Sequence, residues 1–268
     1  MKNVAAIVTA IFFTLCFRTS YALDDIAFIV DGSGSIDSRD WALQKDGFVA
    51  ALQNEAYVPR DGTIAIAVVQ FSTPSPRVEV PLTVINSKAD VDNLVAAIQA
   101  IVQIGDSTNP GDGIALANDL FTSSAREGAS QTFCMSTDGL VNSGQSPTTA
   151  INAAKAATFG LDRFGVIAIE DGFGALESDF QRAYNSLVFG GGAVFVVQNT
   201  AEFANTVGAV CFPNIDVELV GLEVVQVVQD LENSVALVED KATLVRSYIQ
   251  PVDPAQTGNI QVSLSQQR

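Results

Sequence analysis

From residue 25 to about 211 the chain alternates short apolar runs with stretches whose apolar residues recur at helical spacing. The runs are rich in Val, Ile and Phe and too short for helices, so they read as strands buried on both faces. Strands are expected at Asp25–Val30, Ile64–Phe71, Arg77–Leu82, Gln131–Ser136, Arg163–Ile169 and Ala193–Val197. The helical stretches between them are Trp41–Asn54, Lys88–Ile104, Gly111–Phe121, Pro147–Thr158, Glu177–Ser186 and Ala201–Val210. Such alternation predicts an α/β fold, a doubly wound and mostly parallel six-stranded sheet with helices on both faces. The run "VEVPLTVI" (78–85) follows its predecessor after a short Pro-containing loop, which leaves no room for a crossover helix. It is therefore expected as one antiparallel edge strand.

The two ends have a different character. Lys2, the apolar stretch Val4–Phe17 and the small-x-small triplet Ser20-Tyr21-Ala22 form an export signal, with maturation expected near Leu23. The apolar stretch falls short of the roughly 20 residues that span a bilayer, and Arg18 interrupts it. The most apolar later stretch, "LVFGGGAVFVV" (187–197), is short and broken by three glycines, so no span is expected in the mature chain. Beyond Pro213 the chain is rich in Val and Leu, partly alternating and punctuated at Asn233-Ser234 and Glu239-Asp240, which predicts two or three strands. The expected organisation is a signal peptide at 1–22, an α/β domain at 23–214 and a β-rich extension at 215–268, read as an incomplete second module.

Charge narrows the function. The signal holds two of the 14 basic residues and none of the 30 acidic ones, so its removal leaves a net charge of −18. That surface repels nucleic acid and anionic membranes and favours cations or basic patches. The chain has no histidine, which excludes Ser-His-Asp and Cys-His catalysis and imidazole-ligated metals. Only Cys134 and Cys211 remain in the mature chain, too few for a thiolate site of about four ligands. Any bound metal would be held by oxygen, which points to Mg2+, Ca2+ or Mn2+. Cys134 lies in a central strand and Cys211 ends the last expected helix. Because helices run back against the strands, the pair can meet, either as a disulfide in an oxidising compartment or as two buried thiols.

Three segments carry candidate chemistry. "FIVDGSGSID" (28–37) ends a strand on Asp31 and then offers Ser33 and Ser35, two residues apart on a glycine-permissive turn. "CMSTDGLVNSG" (134–144) places Asp138 just beyond another strand's carboxyl end. In a doubly wound sheet, ligands collect at carboxyl ends where strand order reverses. If those two strands are neighbours, both carboxylates face one crevice, where a divalent ion would relieve their repulsion. In "GDSTNPGDGIAL" (105–116), Thr108 precedes a helix start at Pro110-Gly111, whose positive end can face an anion such as a ligand carboxylate. Asp112 and Asp171 read as surface charges or helix-start residues.

Enzymatic patterns fit less well. A dinucleotide fingerprint would need glycine where Asp37 stands, and the Gly-Lys-Ser/Thr of a P-loop is absent. A Mg-dependent phosphate-ester hydrolase using Asp31 as nucleophile would normally carry a second aspartate where Ser33 stands. Asp, Gly and Ser are also ordinary turn residues, so the first segment read alone is an unremarkable loop.

Together the segments resemble the von Willebrand factor A (vWA) domain, closest to its exported bacterial families, over about residues 24–211. "DIAFIVDGSGSID" matches the Asp-x-Ser-x-Ser motif, "STNPGDGIAL" the threonine loop and "STDGLVNSG" the distal Asp-Gly. The resemblance implies a metal-ion-dependent adhesion site (MIDAS). There the positions of Ser33, Ser35 and Thr108 coordinate the ion, those of Asp31 and Asp138 hold it through water, and an acidic side chain of the partner completes the shell. It also implies a secreted, periplasmic or extracellular binding protein for a protein or extracellular-matrix ligand offering a carboxylate, and no catalytic residues. The threonine loop departs from the family pattern, having Asp106-Ser107 where paired glycines are usual. A non-adhesive envelope or scaffold component on the same fold is the alternative. The C-terminal stretch resembles, more weakly, the opening strands of β-sandwich modules in large exported bacterial proteins.

Overall fold

A computed structural model describes residues 23–170 and 176–212, together with the backbone of Val217–Val225 and Leu244–Pro251. The expected signal peptide and Asp171 lie outside the described residues.

Eight strands and six helices are described. The main sheet contains β1 (Asp24–Asp31), β2 (Ile64–Phe71), β3 (Arg77–Val84), β4 (Ser130–Thr137), β5 (Arg163–Ile169) and β6 (Val194–Val197). Its order is β3-β2-β1-β4-β5-β6, parallel throughout except for β3, as the sequence predicts. The chain first builds outward from β1 through β2 and then returns to β1's other side with β4, so strand order reverses between β1 and β4. Asp31 and the exit of β4 flank that reversal.

Near-continuous burial along β1, β2 and β4 explains their unbroken apolar runs, since each face meets a helical layer. One core layer joins Ile26, Phe28 and Val30 to α1 (Ser38–Gln53), α2 (Lys88–Ala100) and α6 (Thr200–Cys211) through Phe48, Leu94 and Phe203. The opposite layer joins Ala27 and Ile29 to α3 (Pro110–Ser124), α4 (Pro147–Ala156) and α5 (Glu177–Tyr184) through Phe121, Ile151 and Phe180.

Several helix limits differ from expectation by one to four residues, and two of them have a clear local cause. The first helix starts earlier, at Ser38, because the Asp37 carboxylate accepts from the N–H groups of Arg39 and Asp40 and caps it. The second stops at Ala100 instead of continuing to Ile104, because Gln103 and Ile104 are committed to bonds around the β1 exit described below.

Cys134 of β4 and Cys211 at the end of α6 form a disulfide, with Cα atoms 5.5 Å apart. It ties the last helix to the centre of the sheet. Within the expected extension, β7 (Val217–Val225) and β8 (Leu244–Pro251) pair antiparallel as a separate two-stranded sheet.

Candidate metal site

Three loops meet at the carboxyl ends of β1 and β4. Directly after β1, the Ser33 N–H donates to Asp31 Oδ1 at 2.8 Å, folding the turn so that the Ser33 and Ser35 hydroxyl oxygens lie 3.0 Å apart. Ser35 Oγ also donates to Asp138 Oδ1 at 2.8 Å, joining residues 103 positions apart. Thr108 enters the same cluster across Gly139: a β-carbon built on that glycine would lie 3.6 Å from Ser35 Oγ and 3.7 Å from Thr108 Oγ1. All five side chains singled out in the sequence therefore belong to one cluster, and Asp31, Ser33, Thr108 and Asp138 are buried.

The backbone fixes this arrangement. Gly34 N–H donates to the Asp106 carbonyl and Gly105 N–H to the Gly32 carbonyl, stitching the serine turn to the threonine loop. Asn142 Oδ1 accepts from the Thr108 N–H, while the Thr108 carbonyl accepts from the N–H groups of Asn142 and Ser143. Asp112 lies on that second seam: its carboxylate accepts from Asn109 Nδ2 and from the Gln145 N–H, so it closes the loop over the start of α3. Asp106 is exposed and presses its backbone against Gly34.

A second set of side chains was not evident in the sequence. Thr137 Oγ1 donates to Asp31 Oδ2 at 2.6 Å. Gln44 of α1 donates to the Asp31 carbonyl and accepts from Ser136 Oγ. Gln103 Nε2 donates to the carbonyls of Ser33 and Ile36, and Gln70 Oε1 accepts from the Ile104 N–H. Gln70 could have been noticed as an amide in the otherwise apolar run "IAIAVVQF". Gln44 and Gln103 look like ordinary solvated residues until the fold buries or aims them.

Burial pushes the Asp31 carboxyl up to about 7; bonds from Ser33 and Thr137 counter this in part, and the nearby Asp138 charge adds to the rise. A carboxylate held at such cost on the floor of an oxygen-lined cluster is one whose charged form an adjacent cation would stabilise. The donors are three hydroxyls and two carboxylates, a hard oxygen set suited to a magnesium-class ion and unsuited to soft metals. No cluster of three or more His, Cys, Asp or Glu fit to hold a metal occurs among the described residues, so the candidate set relies on hydroxyl oxygens. The place that a β-carbon on Gly139 would fill borders two of those hydroxyls, which is the room the set requires.

A family model described as "Protein of unknown function (DUF1194)" matches residues 24–210, which include all six strands of the main sheet. The chain belongs to that family. The DUF1194 domain has the fold of a von Willebrand factor A domain. It is similar to a solved von Willebrand factor type A structure from Catenulispora acidiphila, with 18% identity, a TM-score of 0.55, and coverage of 76% of this chain and 45% of that one. It is also similar to proximal thread matrix protein 1 from the mussel byssus, solved with a zinc-occupied MIDAS motif; there identity is 20% and TM-score 0.53, over 69% of this chain and 46% of that one. Among curated proteins, the collagen alpha-4(VI) chain of Mus musculus is 31% identical over 125 residues, which is 46% of this chain and 5% of the collagen. The chain thus spans a small part of that collagen and less than half of either solved chain.

Proposed function

We propose that this protein is an exported, divalent-cation-dependent binding module that recognises a protein or matrix partner. Ser33, Ser35 and Thr108 would give hydroxyl oxygens to a magnesium-class ion, and Asp31 and Asp138 would hold its water. The bound ion would supply a positive centre for a carboxylate of the partner. The protein's own contribution is preorganisation: Thr137 and the Ser33 N–H hold Asp31, Ser35 holds Asp138, and the seam between Gly34 and Asp106 sets the distance between the two hydroxyl loops.

The observation that carries this reading is the Ser33–Ser35–Asp138 chain of contacts, with Thr108 meeting Ser35 across Gly139. The similarity to a matrix protein solved with an occupied MIDAS and to a collagen chain supports it. Export is supported by the Cys134–Cys211 disulfide, which persists in oxidising compartments. No helix among the described residues is long and apolar enough to cross a membrane. A hydrolase reading finds less support, because Ser33 stands where such an enzyme would normally carry its second aspartate.

Isothermal titration with magnesium tests the reading. The native protein is expected to bind, and Asp31→Ala to lose binding while retaining its circular dichroism spectrum. Equal magnesium affinity in the two proteins would reject the assignment.

A further inference from the structure

Tyr184 is the last residue of α5, far from the cation motifs in sequence, and it is fully buried. Its hydroxyl donates to the Gly139 carbonyl at 3.0 Å. That carbonyl belongs to the residue directly after Asp138, the turn whose glycine borders Ser35 and Thr108.

The protons around Gly139 can be counted. Thr137 Oγ1 carries one hydrogen, lies beside the Tyr184 hydroxyl, and has two acceptors at close range, Asp31 Oδ2 at 2.6 Å and the Gly139 carbonyl at 3.1 Å. It can satisfy only one of them as a donor. The Asp31 contact is the shorter of the two, and it is the stronger choice once the carboxyl is ionised, the form a bound cation would favour. The Gly139 carbonyl would then lack a side-chain donor unless another hydroxyl reached it. Tyr184 supplies that hydroxyl, which leaves the Thr137 proton on Asp31.

We infer that Tyr184 is a positioning residue for cation binding, whose hydroxyl holds the Asp138–Gly139 turn in place and keeps the Thr137 hydroxyl committed to Asp31. The inference rests on the cation-binding reading above. It also makes α5 a part of the site: a helix that contributes no ligand sets the posture of two carboxylates, Asp138 through the turn and Asp31 through Thr137.

Removing the hydroxyl alone separates this role from packing. Tyr184→Phe keeps the ring in the core, and the loss of one buried donor is expected to weaken magnesium binding about five- to tenfold by titration calorimetry. A purely structural tyrosine would lower the urea midpoint equally with and without magnesium and leave the magnesium dissociation constant unchanged. Thr137→Val should also weaken binding, and in the double variant the two losses should fall short of the product of the single fold-changes, because both act on the same proton arrangement. Native affinity in Tyr184→Phe, or fully multiplicative losses, would overturn the inference while leaving the metal assignment standing. Absence of magnesium binding in the native protein would instead overturn the metal assignment and this inference with it.

Discussion

At Gly139 the lack of a side chain has a local meaning. Its backbone does not need the left-handed region, so an alanine can be accommodated conformationally, but the added carbon would stand beside the Ser35 and Thr108 hydroxyls at ordinary contact distance. Gly139→Ala is therefore expected to fold with little change in stability and to lose at least tenfold in magnesium affinity, measured by calorimetry, because the methyl occupies room the ion requires. Gly32 differs: a β-carbon there would collide with the Gln70 amide that holds Ile104. Of the five candidate ligands, all were legible in the sequence because each sits at a fixed offset from an apolar run or a helix start. The residues that hold them were not. Gln44, Gln103 and Tyr184 carry no local signal, since a lone amide or phenol on a helix or loop is usually solvated or simply packed.

The elements show why the opposite end of the sheet is as firmly built as the site. Arg126, just past the end of α3, donates to Asp25 Oδ1 at 2.6 Å and to the carbonyls of Gly62, Asp24 and Thr63, so one side chain joins α3 to the starts of β1 and β2. The Asp25 side chain is fully buried. Removing the arginine strands that carboxylate without its cation, which costs more than the pair contributes. Arg126→Ala is expected to destabilise the fold by about 3 kcal/mol in urea melts, with magnesium affinity per folded molecule unchanged. The strands were readable because continuous burial demands continuous apolar runs. Helix ends were less so: α2 stops where its next residues are worth more as clamps on the β1 exit than as another helical turn.

For the whole molecule, acid chemistry and cross-linking both bear on stability. Burial pushes the Asp24 carboxyl up to about 6, with Arg163 and Arg126 offsetting part of the rise, and that of Asp31 up to about 7. Both groups hold their protons more tightly folded than unfolded, so their contribution is fully present below about pH 4 and is lost as pH rises through the folded values. With a chelator present, urea midpoints are expected to fall between pH 4.5 and 7.5, and Asp24→Asn should flatten the part of that fall below pH 6. A bound cation would reverse the Asp31 part by favouring its charged form. The Cys134–Cys211 bond closes a separation of 77 residues, a span for which chain entropy gives about 4.5 kcal/mol. It binds α6 to the centre of the sheet.

The sequence by itself determined the order of strands and helices, the antiparallel edge and the oxygen-only character of any metal site, and it named the five residues proposed to form one. These follow from local rules: burial sets periodicity, a missing histidine removes whole chemistries, and a turn after a strand exposes what it carries. Only the tertiary structure decided that β1 and β4 are neighbours, that Thr108 meets Ser35 across Gly139, that the two cysteines are bonded, and that three glutamines and a tyrosine hold the cluster. Those outcomes depend on which distant surfaces pack together, and a hydrogen bond between residues 103 positions apart leaves no trace in the spacing of either.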